Sequence, residues 1–145
     1  MTTVAQLVQE KGRAVWSIAP DATVYAALSL MAEKNVGALV VLESARVVGI
    51  ISERDYARKV ILKGKFSKDT LVREIMTDKV YFVGPAQTIE ECMALMTAER
   101  IRHLPVLEND QLIGLISIGD VVRVVISDKE FLIKQLEHYI TDRRG

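Results

Sequence analysis

Two segments of this chain place a hydroxyl and a carboxylate at one spacing. Gly49-Ile50-Ile51-Ser52-Glu53-Arg54-Asp55 and Gly114-Leu115-Ile116-Ser117-Ile118-Gly119-Asp120 each end a β-branched run with Ser-x-x-Asp and run into an apolar, helix-like stretch. The pattern has two readings. As a helix N-cap, the serine accepts from the N–H at the third helical position and the carboxylate there bonds back. As a ligand site, the helix start offers N–H groups and positive potential that suit a phosphate. The carboxylate can then accept from two vicinal hydroxyls, as a ribose presents them. Spacing alone leaves both open.

Cations stand close to both motifs in sequence. Arg54, Arg58 and Lys59 follow the first, with Arg54 and Arg58 one helical turn apart. Arg102 and His103 open the strand-like run His103-Leu104-Pro105-Val106 before the second. Arginine suits bidentate contact with phosphate. Taken singly, each cation reads equally well as solvated surface charge, and His103 as a structural histidine. Trp16 and Tyr81 could pack in a core or stack on a flat base. No nucleophile elbow, Walker loop or GxGxxG segment occurs. His103 and His138 have no ligand spacing to each other or to Cys92, so neither a zinc site nor catalysis is expected.

The elements that must position these groups come from a duplication. Val15–Asp55 slides onto Val80–Asp120 without a gap, and thirteen pairs are identical, among them Pro20/Pro85, Thr23/Thr88, Met31/Met96, Gly49/Gly114, Ser52/Ser117 and Asp55/Asp120. Each copy reads β-α-β-β-α. A short strand near Val15–Ile18 leads to a helix capped by Thr23 and running to about Asn35. Thr88 caps its counterpart, with Glu91 completing a capping box. Leu39–Leu42 reads as a buried strand, and Val47–Ile51 and Leu112–Ile116 close two hairpins over polar turns. The copies are not equivalent. Gly37-Ala38 stands where the second copy has Arg102-His103, Val40 where it has Pro105, and Arg54 where it has Gly119. Two unequal sites are therefore expected. Thr3–Glu10 reads as a lead-in helix, as does Thr70–Met76. Asp128–Arg143 reads as a C-terminal amphipathic helix whose apolar side covers either its own core or another chain. The expected division is 1–64 for the first unit with the N-terminal helix, 65–127 for the second, and 128–145 for the C-terminal helix.

Composition narrows the function classes. Lys plus Arg and Asp plus Glu each number 19, so no basic excess exists to neutralise nucleic-acid phosphates. No apolar run is long enough for a membrane span and the N-terminus lacks a signal-peptide pattern, so a soluble cytoplasmic protein is expected. Cys92, the single cysteine, excludes an internal disulfide and reads as a small buried hydrophobe.

The duplicated unit resembles a cystathionine-β-synthase (CBS) domain, and the chain resembles a stand-alone tandem pair, a Bateman module. The resemblance rests on Thr70–Thr77 leading to Pro85, on Arg102-His103-Leu104-Pro105-Val106, and on the two Gly-x-x-Ser-x-x-Asp segments, and it spans Thr3 to about Asp128. It implies an α/β (α+β) fold of two pseudo-symmetric units packed sheet to sheet, with two clefts for adenosyl compounds: AMP, ADP, ATP, S-adenosylmethionine or NAD. By position, Asp55 and Asp120 would hold ribose hydroxyls, and Ser52 and Ser117 ribose or phosphate. Arg102, His103, Arg54 and Arg58 would contact phosphates. Ser17, Ile18, Val36, Gly37, Ala38, Ile51, Val83, Ile101, Leu104 and Ile116 would frame the base, and Pro105 counts with them among the nucleotide-binding positions. The resemblance implies a non-catalytic sensor that needs no metal, pairs into a homodimer and signals to another protein. The alternative is a ligand-free structural or interaction module.

Overall fold

The structure, a computed structural model, describes residues 1–12 and 14–144, with side chains through residue 140. Gly145, which closes the expected C-terminal segment, lies outside the described residues. The chain divides into two compact units: Ala14–Phe82, and Met1–Arg13 together with Val83–Gly145.

The first-repeat unit holds β1 (Ser17–Ile18), α2 (Val24–Lys34), β2 (Ala38–Glu43), β3 (Arg46–Ser52), α3 (Glu53–Tyr56) and α4 (Val72–Ile75); α1 (Val4–Lys11) belongs to the other unit. β1 runs parallel to β2, and β2 antiparallel to β3. The hairpin turn Ser44-Ala45 has positive φ at both residues, the backbone twist that a two-residue hairpin needs. α3 continues into a single π-helical turn, Ala57–Ile61. Val24, Ala27 and Met31 from α2 pack with Leu39, Val41, Ile51, Val60, Val72 and Ile75 into one buried cluster. The spacing of the α2 residues is what sets an apolar stripe against the sheet.

The second-repeat unit holds α5 (Ile89–Glu99), β4 (His103–Glu108), β5 (Gln111–Ser117) and α6 (Ile118–Arg144), with α1. Its first strand is reduced to a single parallel bridge, Val83 to Val106. Proline accounts for this. In the first unit Val40 donates its N–H to the Trp16 carbonyl (3.3 Å). Pro105 occupies the matching position and has no N–H to give. Among the described residues, the Val83 N–H to Pro105 carbonyl bond (3.1 Å) and the Leu107 N–H to Val83 carbonyl bond (3.0 Å) remain.

Two expectations are corrected. The helix after Ser117 and the C-terminal helix are one 27-residue helix, because no glycine or proline interrupts Val121–Arg144. The units are also not sequential halves. α1 was expected with the first repeat, and residues 65–82 with the second; each folds with the other. The cause is backbone bonding at helix starts, where N–H groups have no partner within the helix. The Val72 and Arg73 N–H groups of α4 donate to the Ala22 and Pro20 carbonyls (2.8 and 2.9 Å), while Val24 of α2 donates to the Thr70 carbonyl (2.8 Å). The same exchange recurs with α1: Val4 and Ala5 donate to Gln87 and Pro85 (2.8 and 3.0 Å), and Ile89 donates to Thr2 (3.0 Å).

Candidate functional site

Ser-x-x-Asp forms the same local structure in both units. Ser52 is the N-cap of α3: Asp55 donates its N–H to Ser52 Oγ (3.2 Å), and Ser52 N–H returns to Asp55 Oδ2 (2.9 Å). Asp120 N–H donates to Ser117 Oγ (3.1 Å), and Ser117 N–H to Asp120 Oδ2 (2.9 Å). The capping box is therefore real in both copies. It leaves each carboxylate with acceptor capacity for further partners.

Lysine takes that capacity in both units, from unrelated places. In the second-repeat unit Lys11 of α1 sets its Nζ 2.6 Å from Asp120 Oδ2 and 2.9 Å from the Leu115 carbonyl. Arg123 adds a contact of 3.1 Å to Asp120 Oδ1 from one turn along α6. In the first-repeat unit Lys59 lies 3.1 Å from Asp55 Oδ1 and donates to the Ile75 carbonyl (2.9 Å). Among the described residues, Asp120 is one of the few buried polar ones. Burial pushes its carboxyl up, but the Lys11 hydrogen bond, the Ser117 bonds and the Lys11 charge outweigh burial and hold it below its ordinary 3.8.

The other expected residues fall around these carboxylates, unit by unit. In the first-repeat unit, Ala38 pairs directly with Ser52 across the sheet, and Glu53 N–H donates to the Gly37 carbonyl (3.1 Å). Val36 stands just before them, its N–H on the Met31 carbonyl (3.0 Å). Arg54 and Arg58 are exposed. In the second-repeat unit, His103 pairs with Ser117 and Leu104 with Ile116, and Ile118 N–H donates to the Arg102 carbonyl (2.8 Å). Ile101 occupies the place of Val36. Arg102 is exposed and His103 half-buried. Ser17, Ile18 and Val83 lie further along their sheets, beside Val40, Val41 and Val106. Ala38, Ile51, Val83, Leu104, Pro105 and Ile116 are buried, so their side chains belong to the packed interior.

Lys11 and Arg123 escaped sequence reasoning, and Lys59 was seen only as a neighbouring cation. Arg123 is the repeat partner of Arg58, so the duplication itself marks it. Lys59 stands one turn after Asp55, a readable ion-pair spacing. Lys11 carries no such signal, because only the exchange of lead-in helices brings it to Asp120. Trp16 is exposed with Lys34 Nζ 4.4 Å from its ring centre, a cation–π contact and not core packing. Cys92 is buried as expected. Burial, then the Glu91 charge and more weakly that of Glu90, push its thiol up to about 11 against one lowering backbone bond. An open depression of about 380 Å³, lined by Pro20, Asp21, Glu43 and Arg73 among others, lies at the end of β2 opposite Asp55. Among the described residues no group of His, Cys, Asp or Glu is placed to hold a metal ion, and no helix is long and apolar enough to cross a membrane.

The CBS domain model matches the chain twice, over residues 11–62 and 72–127. The chain belongs to the CBS-domain family. The mitochondrial CBS domain-containing protein CBSX3 of Arabidopsis thaliana is 42% identical over 96% of this chain and 72% of its own length. A CBS-domain protein of Burkholderia ambifaria, ascribed to signal transduction, superposes with a TM-score of 0.84 at 54% identity, covering 88% of this chain and 96% of that one. A hexameric CBS-CP12 protein from bloom-forming cyanobacteria gives a TM-score of 0.75 at 28% identity over 99% of this chain and 84% of that one. The mixed helix-and-strand fold with two small sheets is that of CBS pairs. CBS-domain proteins are generally regulatory, nucleotide-binding modules.

Proposed function

We propose that this CBS-domain protein is a non-catalytic sensor of an adenine nucleotide, AMP before ADP, ATP or NAD, bound at the Ser-x-x-Asp end of each unit. Asp120 and Asp55 accept the ribose hydroxyls. The start of α6 and the start of α3, with Arg102, His103 and Arg54, take the phosphates. The observation that carries the reading is the repeated construction: a carboxylate fixed by a capping box, kept ionised in the case of Asp120, with a lysine bonded to it, on Oδ2 of Asp120 and on Oδ1 of Asp55. A ribose replaces a lysine contact with two hydroxyl donors, and the displaced ammonium is then at hand for the phosphate. Binding shifts shape or partner affinity only through its preference for one state over another. The active species is a homodimer, in keeping with the self-association of the cyanobacterial neighbour, and the signal passes to another protein.

A specific observation favours a second reading, a ligand-free structural or interaction module. Both carboxylates are already bonded to their caps and cations. Calorimetric titration with AMP, ADP, ATP and NAD separates the two. The sensor reading expects micromolar binding of at least one nucleotide, weakened about tenfold or more by Asp120→Ala or Asp55→Ala, the loss of one charge-assisted hydrogen-bond set. It also expects a higher melting temperature with ligand. Heat flow and melting that no adenosyl compound changes would leave only the structural module.

A further inference from the structure

The depression of about 380 Å³ at the far end of β2 lies wholly within the first-repeat unit and takes no part in the Ser-x-x-Asp site. Part of its wall is apolar, from Ala19, Pro20 and Leu42. Three charges reach it from separate stretches of chain: Asp21 from the turn after β1, Glu43 from the end of β2, and Arg73 from α4. All three residues are exposed, and among the described residues none of them forms an ion pair. Opposite charges that line one depression without meeting leave a gap between them. A molecule that carries both signs can span it.

The duplication shows which of these charges the fold requires. Arg73 donates its N–H to the Pro20 carbonyl (2.9 Å), and in the second-repeat unit Ala5 donates to the Pro85 carbonyl (3.0 Å). The backbone bond is the same, and alanine serves it as well as arginine. Asp21 corresponds to Ala86. The turn that holds it recurs too, with Ala22 N–H on the Ala19 carbonyl and Gln87 N–H on the Gly84 carbonyl, both at 3.2 Å. The Arg73 and Asp21 side chains are therefore not needed to build the unit. A backbone donor differs as well. Gly84 N–H donates to Gln87 Oε1 (2.7 Å). Gln87 corresponds to Ala22, which has no side-chain acceptor, so the Ala19 N–H at the wall lacks this partner.

We propose that this depression binds an α-amino acid with an aliphatic side chain. The ammonium meets Asp21 and Glu43. The carboxylate meets the Arg73 guanidinium, which suits bidentate contact, and the Ala19 N–H. The side chain lies against Pro20 and Leu42. An amine alone would be repelled by Arg73, and an anion alone by the two carboxylates. With exposed charges as anchors, an affinity on the order of 1 mM is expected. The inference does not rest on nucleotide binding; it gives the chain a second class of small molecule to answer to, at a separate place.

The test is two-dimensional NMR of the isotope-labelled full chain titrated with L-leucine. The backbone amides of Ala19, Asp21, Ala22 and those from Leu42 to Ala45 are expected to shift and to saturate. Arg73→Ala and Asp21→Ala install what the second-repeat unit already carries, so both variants are expected to fold, with circular dichroism melts close to wild type. Each should weaken L-leucine binding about tenfold or more, the loss of one charge-assisted contact. Isoamylamine lacks the carboxylate of L-leucine and isocaproate lacks its ammonium; each is expected to bind about tenfold or more weakly than L-leucine for the same reason. The absence of any saturable shift overturns the proposal, as does binding that survives Arg73→Ala and Asp21→Ala together. An analogue that binds as tightly as L-leucine also overturns it, leaving a site for amines or for anions alone.

Discussion

Asp120 concentrates most of what a single residue does here. It caps α6, is buried, and meets Lys11 at 2.6 Å and Arg123 at 3.1 Å. Its carboxyl is held below 3.8 in the fold. A carboxyl depressed on folding adds stability that is present above the unfolded pKa and lost as pH falls through the folded one. Wild-type stability is therefore expected to drop as pH falls below about 4, the range of an unperturbed aspartate. Lys11→Met removes the largest opposition to burial, so the folded carboxyl moves up toward its unfolded range and this acid loss should shrink. At neutral pH the same variant should cost about 1 kcal/mol, between the worth of an exposed and of a buried ion pair. Asp120→Asn should remove this part of the acid dependence. Denaturant melts between pH 3 and pH 7 read all three (a window set around the carboxylate range); acid limbs that coincide in wild type and Lys11→Met would show that the pair does not set the carboxyl.

At the scale of elements, the glycine of each Gly-x-x-Ser-x-x-Asp motif has a packing reason. A Cβ on Gly49 would sit 2.7 Å from Met76 Sδ and 2.9 Å from the Thr77 carbonyl oxygen. That carbonyl is held by the Ile50 N–H at 2.9 Å and cannot yield without breaking the bridge. A Cβ on Gly114 would meet Val8 Cγ2 at 3.0 Å, a side chain only. Gly49→Ala should thus destabilise by about 2–3 kcal/mol and Gly114→Ala by about 1 kcal/mol, in the range of overpacked cores. Urea unfolding with equal slopes measures the difference; equal costs would place the strain elsewhere. The capping boxes, hairpins and strand pairs were legible because each is a local pattern of type and spacing. The same holds for Arg123 once the repeat is applied to Arg58. The missing strand in the second unit needed the three-dimensional fact that the Val40 N–H points to Trp16, which gives Pro105 its consequence. The partner of α1 was not legible, because periodicity marks Val4, Leu7 and Val8 as a buried face without naming what covers it.

At the scale of the whole molecule, the order of the chain and the order of the units disagree. The helix that opens the chain completes the unit of the second repeat, and the segment after the first repeat completes the unit of the first. Lys11 therefore belongs to the Asp120 site although it lies 109 residues away in sequence. Removing residues 1–11 tests whether α1 is structural to one unit only. Val4 and Leu7 are fully buried and Val8 nearly so. Burial of three such side chains is worth about 5–9 kcal/mol, an upper estimate because the unfolded chain already buries part of that surface. Hydrogen exchange is expected to show β4 and β5 losing protection in the truncated chain while β2 and β3 keep theirs. Lys11→Met should keep protection in all four strands and weaken nucleotide binding at the Asp120 site alone. Equal loss of protection in both units, or in neither, would refute the assignment of α1 to the second repeat.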